Sequence, residues 1–327
     1  MGSLTKAEAV RRLLPSVGGP FLQEAAAFAP VNIALVKYWG KRDEELHLPV
    51  TDSLSYSLVL GTATTLRQGS VDRVSLNGEV LAPSSSFHQR LFRFLDLVRP
   101  SPSFCFSVET RNEVPTAAGL ASSASGFAAL VLALNSFFSW NLDRRQCSVL
   151  ARLGSGSACR SMYEGFVRWR KGERDDGGDS YAMPLDDSWP SLCLAALLLS
   201  TDEKPISSGE AMRRTVATSP AYALWPQRVS EDMEAVLSAL HRHDFPAFGA
   251  AVERNALAMH STMQAAVPPV CYWTSKTIEA MRAVQRARAE GLEIYFTMDA
   301  GPNVKLLFLQ SSLPHVKERF PEALVLT

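Results

Sequence analysis

Hydrophobic positions in this chain alternate like strands early and recur like helices late. From Ala29 to about Gly61, β-branched and aromatic residues dominate, broken by the polar run Lys41-Arg42-Asp43-Glu44-Glu45, the pattern of strands joined by an exposed turn. Arg73 to Val80 reads as a second strand pair, with Asn77-Gly78 as its hairpin turn. Phe87 to Val98 reads as a helix and Phe104 to Glu109 as a strand. Pro115 then opens a small-residue loop that runs into the apolar segment Phe127 to Phe138. Arg144 to Leu153 is predicted helical, and Phe166 to Trp169 and Leu192 to Leu199 are predicted strands. From there the period is helical over Ser208 to Ala217, Val229 to Leu240, Phe245 to Met259 and Ser275 to Glu290. The chain closes with a strand at Glu293 to Met298, a turn at Ala300-Gly301-Pro302-Asn303 and a strand at Val304 to Leu309. At the other end, Thr5-Lys6-Ala7-Glu8 has capping-box spacing, followed by Val10, Leu13 and Leu14 on one helical face and a stop at Pro15.

Strand runs followed by helix runs, without regular alternation, predict an α+β fold. A boundary near residues 185–205 divides it into an N-terminal extension over 1–28, one lobe over 29–190 and a second over 191–327. Composition adds a large core, since 46% of the 327 residues are hydrophobic. Lys plus Arg equals Asp plus Glu at 33 each, without a basic tract, which argues against a dedicated nucleic-acid or membrane-surface binder. Any anionic ligand must then be met by local cations. The five cysteines are widely spaced with no C-x-x-C pair, which fits a reducing cytoplasm better than a zinc or redox centre. Leu192 to Leu199 is far too short to span a bilayer. Arg11 and Arg12 lack the apolar segment and cleavage site of a targeting peptide.

Several runs carry candidate chemistry. The run PTAAGLASSASG from Pro115 to Gly126 stands just before an apolar helix. Its small residues let backbone N–H groups approach an anion, with Ser122, Ser123 and Ser125 as further donors; the same composition also suits a Ser-capped helix packed through Ala and Gly. It lacks the G-K-[ST] ending of a Walker A loop. Lys37 and Lys41 fall on one face of either a strand or a helix, so two cations converge there, or form a surface pair above Tyr38 and Trp39. Gly154 to Ser161 joins flexible backbone, hydroxyls and the Arg160 guanidinium, able to grip a phosphate or carboxylate or to cap a helix. Asp176-Gly177-Gly178-Asp179-Ser180, and Ser207-Ser208 followed by Met212, suit turns and caps as well as ligand contacts. Asp299 stands in the turn Thr297 to Asn303. The six histidines form no H-E-x-x-H, and His241-Arg242-His243 reads as solvated surface.

The Pro115 run resembles the P-x-x-x-G-L-x-S-S-A phosphate loop of the GHMP kinases, and the longer run TAAGLASSASGFAAL resembles the version found in diphosphomevalonate decarboxylases. Ala29 to Asp43 is similar nearly residue for residue to the N-terminal signature of those decarboxylases. Gly154 to Ser161 resembles their G-S-G-S-A-C-R-S motif without a mismatch, and Thr297 to Asn303 their T-x-D-A-G-P-N signature. The likeness extends from about Ala29 to Leu309.

The resemblance implies a two-lobed GHMP-kinase fold, with a ribosomal-protein-S5-like N-terminal lobe and a ferredoxin-like C-terminal lobe, in a homodimer. It implies ATP-dependent decarboxylation of 5-diphosphomevalonate to isopentenyl diphosphate, a step of isoprenoid biosynthesis. The implied catalytic residues are Asp299, Lys37, Ser123 and Arg160. The substrate is expected against Tyr38, Lys41, Ser155, Gly156, Ser157, Arg160 and Ser208. ATP is expected at Asn112, Ala118, Gly119, Leu120, Ala121, Ser122 and Ser123, with Mg²⁺ bridging its phosphates. Asp299→Ala is expected to lose several kcal/mol of transition-state stabilisation with little effect on folding.

Two positions depart from the family pattern. Val50-Thr51-Asp52-Ser53 follows Leu48-Pro49 where the family commonly has Asn followed by Asn or Ser, which puts the charge of Asp52 near the expected substrate. Gly209 stands where bacterial relatives often have Arg, removing a diphosphate contact. Phosphomevalonate decarboxylase and mevalonate 3-kinase activities are therefore the alternatives on the same fold, and a sensor that binds ATP without catalysis is a third.

Overall fold

The computed structural model describes residues 4–15, 20–113, 122–200 and 204–326. Helix α1 (Lys6–Leu13) begins as its capping box predicts, with the Thr5 hydroxyl accepting from the Glu8 N–H and the Glu8 carboxylate accepting from the Thr5 N–H. It ends at Leu14, held extended ahead of Pro15. Strand β1 (Glu24–Val36) starts earlier than the expected lobe boundary at residue 28. Glu24 pairs with Arg67, so residues 24–28 belong to the sheet and not to the extension. The run Glu-Ala-Ala-Ala-Phe gives no alternation to announce it.

The polar interruption after β1 becomes a separate two-stranded hairpin, β2 (Lys41–Asp43) and β3 (Leu48–Pro49), paired only with itself. The long strand β4 (Ser53–Gly69) runs antiparallel to β1 and carries the rest of the first sheet. Beside it lie β5 (Arg73–Leu76), β6 (Glu79–Val80) and, after helix α2 (Ser86–Leu95), β7 (Cys105–Asn112). Asn77 and Gly78 both take positive φ between β5 and β6, as the hairpin signal predicts. Helices α3 (Ser122–Phe137) and α4 (Arg144–Gly154) follow, then a 3₁₀ turn over Gly156–Met162 and strands β8 (Gly165–Trp169) and β9 (Ala182–Pro184). The sheet order is β6-β5-β7-β4-β8-β9, with β1 on β4. Among the described residues only β5 and β7 pair in parallel.

The second sheet opens with β10 (Leu192–Leu197). Four helices intervene: α5 (Ser208–Thr218), α6 (Trp225–Arg242), α7 (Phe245–Gln264) and α8 (Ser275–Ala289). The sheet is completed by β11 (Ile294–Thr297), β12 (Val304–Leu309) and, after α9 (Leu313–Arg319), β13 (Leu324–Val325), in the order β11-β12-β10-β13. Counted within this lobe the order is 2-3-1-4, all antiparallel, which is the expected ferredoxin-like arrangement.

Helices α6 and α7 join the two lobes. One buried cluster draws on Val31, Ile33 and Leu35 of β1, Leu194 of β10, Leu307 of β12, and Trp225, Val236 and Phe248 of these helices. Helix α7 packs on both β1 and β11.

Candidate active site

The end of β1 delivers Lys37 into the seam between the lobes. Its side chain is 1% exposed, and Nζ donates to the Ala34 carbonyl at 2.8 Å and to Asp299 Oδ1 at 2.9 Å. Asp299 sits in the turn between β11 and β12, and its Oδ2 accepts from Lys305 Nζ at 3.1 Å. Lys305 is itself 2% exposed, whereas the Asp299 side chain keeps 29% exposure. One carboxylate thus stands between two buried ammonium groups with a face still open. Burial pushes the Asp299 pKa up, but Lys305 and Lys37 together outweigh it and hold the carboxyl well below the usual range. Burial lowers Lys37 to about 8 against the opposing pull of Asp299.

Helix α7 grips both halves of this pair. Asn255 Oδ1 accepts from the Lys37 backbone N–H at 2.8 Å, and Asn255 Nδ2 donates to Asp232 of α6 at 2.9 Å. Asp232 and Asn255 are fully buried, and Arg254 Nε donates to the other Asp232 oxygen at 2.7 Å. One helical turn on, His260 Nε2 lies 3.1 Å from the Asp299 carbonyl. A carbonyl only accepts, so the ring carries its proton on Nε2. Burial first, then Lys37, lowers His260 to about 3, leaving a neutral imidazole.

Arg160, in the 3₁₀ turn, is 3% exposed. It donates through Nε to Asn32 Oδ1 at 3.2 Å and through Nη1 to Ser53 Oγ at 2.6 Å. Asn32 also donates to the Ser157 carbonyl and to Ser161 Oγ, so β1 orients the whole motif. The Ser155 N–H closes α4 on Ala151. Tyr38 packs against Trp169 at 4.6 Å between ring centroids, and among the described residues its buried hydroxyl has no hydrogen-bond partner. A Cβ at Gly156 would crowd the Tyr38 ring and hydroxyl at 2.9–3.1 Å, so the ring would have to shift. Among the described residues the buried Ser55 and Ser57 hydroxyls on β4 also lack partners.

Two expectations change, and a third settles on its turn reading. Lys37 and Lys41 do not share a face: regular strand geometry stops at Val36, Gly40 takes φ +107°, and Lys41 pairs with Glu44 at 2.7 Å. The Asp52 charge is not left facing the substrate region, since Arg168 donates to Oδ2 and the Lys171 N–H to Oδ1, both at 2.8 Å. Asp176 and Asp179 build their own loop by accepting from the backbone N–H groups of Gly178 and Glu173.

Of the residues expected to hold ATP, Ala118, Gly119, Leu120, Ala121 and the side chain of Ser122 lie outside the described residues. Ser123 is half-buried in the first turn of α3. Nearby, Thr62 Oγ1 bonds Asn112 Oδ1 at 2.9 Å and Ser125 Oγ at 2.7 Å, tying the end of β7 to the start of α3. Ser207 caps α5, which begins at Ser208. Motif reading missed Lys204, whose Nζ donates to the Ala300 carbonyl at 2.5 Å beside Asp299. It also missed Lys305, although a lysine inside the apolar strand Val-Lys-Leu-Leu-Phe-Leu was a visible signal. Among the described residues no three His, Cys, Asp or Glu side chains cluster to hold a metal, and no helix is long and apolar enough to cross a membrane.

Two lobes meeting at the Lys37–Asp299 pair, with helix α3 following a small-residue run in the sequence, define the GHMP-kinase class of fold. The family model described as diphosphomevalonate decarboxylase-like N-terminal domain matches residues 29–182, and that of the mevalonate 5-diphosphate decarboxylase C-terminal domain matches residues 194–325. The chain belongs to the diphosphomevalonate decarboxylase family. It is 37% identical over 313 residues to the diphosphomevalonate decarboxylase of Homo sapiens, covering 87% of this chain and 76% of that one. It is 38% identical over 325 residues to that of Danio rerio, covering 91% and 79%. Among solved structures, mevalonate diphosphate decarboxylase from Staphylococcus aureus superposes with a TM-score of 0.86 at 35% identity, covering 93% of this chain and 95% of that one. A complex titled MDDEF with MVAPP, AMPPCP and magnesium gives 0.84 at 41% identity, covering 93% and 97%.

Proposed function

We propose that this chain uses ATP and Mg²⁺ to decarboxylate 5-diphosphomevalonate to isopentenyl diphosphate, releasing ADP, phosphate and carbon dioxide, with Asp299 at the reacting centre. The observation that carries the site assignment is the Asp299 carboxylate, held ionised between Lys37 and Lys305 with one side open. A carboxylate so stabilised is a weak base. It orients the tertiary hydroxyl by accepting its hydrogen bond while that oxygen bonds the γ-phosphorus and the bond to ADP breaks, the hydroxyl proton passing to an oxygen of the transferred phosphoryl group, a reaction governed by positioning and charge. When the new phosphate departs and the carboxyl carbon leaves as carbon dioxide, the same negative charge stabilises the positive charge developing at the tertiary carbon.

Lys37 balances charge on the transferring group, and Lys204 stands close enough to add to it. Arg160 spends Nε and Nη1 on Asn32 and Ser53, which fixes its guanidinium plane and presents Nη2 to an anionic substrate group. Tyr38, Lys41, Ser155, Ser157 and Ser208 complete the substrate contacts, and Asn112 and Ser123 stand at the nucleotide side. Mg²⁺ would be carried on the nucleotide phosphates, with the half-buried Ser123 hydroxyl and the open side of the Asp299 carboxylate as this chain's oxygen donors. When bound, the ion neutralises charge on the transferring phosphoryl group. A cytoplasmic homodimer is part of the same proposal, checked by sedimentation.

The test is to supply purified protein with Mg-ATP and, separately, mevalonate, its 5-phosphate and its 5-diphosphate, and to measure ADP, phosphate and carbon dioxide. Equal release of all three with the diphosphate is the expected result. ADP without carbon dioxide, or turnover of the monophosphate alone, overturns it.

A further inference from the structure

Helix α1 lies ahead of the segment that matches the decarboxylase family, yet it is fastened to α4 and to the β2–β3 hairpin. The β2–β3 hairpin, which carries Lys41, pairs with neither large sheet. Its position therefore depends on side-chain contacts. Leu46 and Leu48 are fully buried in the cluster that also holds Val10 and Leu14 of the α1 segment, and α1 packs on α4. The Lys6 N–H donates to Glu45 Oε1 at 3.1 Å, and Lys6 Nζ lies 3.5 Å from His47 Nε2.

The His47 ring locks the arrangement. Its Nδ1 lies 2.8 Å from the Arg152 carbonyl, so Nδ1 carries the proton and Nε2 is left to accept from Lys6. Both contacts fit one neutral tautomer. Burial first, then Lys6 and Lys41, lowers the ring to about 3, in keeping with that form. His47 also holds φ +54°, a conformation non-glycine residues adopt where surroundings hold them in it. Arg152 stands two residues before Gly154, so α1, the hairpin and the start of the Arg160 motif are joined in one contact chain.

We propose that α1 is a built-in clamp that sets the position of Lys41, and with it the anionic end of the substrate, by fixing the β2–β3 hairpin. This rests on the reading of Lys41 as a substrate contact, and the experiment separates the two. In the full-length enzyme, Val10→Asp undocks α1 through its buried face, Lys6→Ala with Glu45→Ala loosens it through surface contacts alone, and Val10→Ile is the conservative control. Kinetics are measured against both substrates, with hydrogen exchange at the Leu46 and Val50 amides.

The undocking variants are expected to raise KM for the acid substrate on the order of tenfold, with KM for ATP within about twofold and faster exchange confined to the hairpin. Val10→Ile changes neither. In a Lys41→Ala background, undocking adds no further rise, because the affected contact is already gone. If Lys41→Ala raises KM but undocking does not, or if the two effects add in full, the clamp is wrong while the Lys41 reading stands. If Lys41→Ala leaves KM unchanged, the Lys41 reading fails and takes the clamp with it. Should Val10→Asp not fold, the surface variant decides the outcome alone.

Discussion

Asp299 joins the proposed chemistry to the stability of the fold. Reading the motif alone led to the expectation that Asp299→Ala would leave folding nearly intact, but the side chain neutralises two lysines that are 1% and 2% exposed. Its removal should cost about 10³-fold in kcat and roughly 3–5 kcal/mol of stability, because two buried cations lose their shared partner. Steady-state assays and urea unfolding on one preparation check both. Asp299 stabilises the fold above the unfolded carboxylate pKa of about 4, and that contribution is lost as pH falls below it. Lys37 acts in the same direction over a separate, basic window. With its folded pKa near 8 it sheds its proton while the unfolded lysine keeps its own to about 10.4, so this group adds stability as pH rises across that interval. If the ammonium is the working form, kcat falls along a basic limb near pH 8. Lys37→Arg should lower kcat and remove that limb, since a guanidinium does not titrate there. At Gly209 a Cβ meets nothing within 4 Å. Gly209→Arg should therefore fold normally and lower KM for the diphosphate substrate, on the order of tenfold if the new guanidinium reaches it. An unchanged KM would show that the terminal phosphate lies elsewhere.

At the scale of elements, strands and helices long enough to show a period were legible, and the predicted strand Val304 to Leu309 matches β12 at both ends. The short strands β9 and β13, of three and two residues, are too brief to carry any pattern and exist because a neighbour offers an edge. The site divides the same way. Lys37, Arg160 and Asp299 lie in contiguous motifs, whereas Asp232, Asn255 and His260 act across the fold from positions that local sequence reads as helix. Their one trace is that they are polar on buried helix faces. Asp232→Ala tests how far α6 and α7 depend on this chain of contacts. It leaves Asn255 and the inner end of Arg254 unsatisfied, and should cost roughly 2–4 kcal/mol in urea unfolding. It should also lower kcat through the freed Lys37 backbone.

For the molecule as a whole, the two-lobed α+β class was readable from strand runs giving way to helix runs, but the joint between the lobes was not. Periodicity reports which face of a helix is apolar, not which sheet it will meet, and α6 and α7 turned out to serve both. With one buried cluster running through both sheets, the protein should unfold in a single calorimetric transition despite its 327 residues. Two resolved transitions would mean the shared cluster is not holding the lobes together. Helix α7 touches the backbone of Lys37 through Asn255 and that of Asp299 through His260, so one rigid rod fixes the separation of two groups contributed by different lobes. Such a gauge opposes the jaw-like swing by which many two-lobed enzymes engulf their ligands, because a swing would have to break one of these two bonds. Substrate capture here has to be a matter of local rearrangement on a stiff frame, and small-angle scattering should return the same radius of gyration with the site empty or filled.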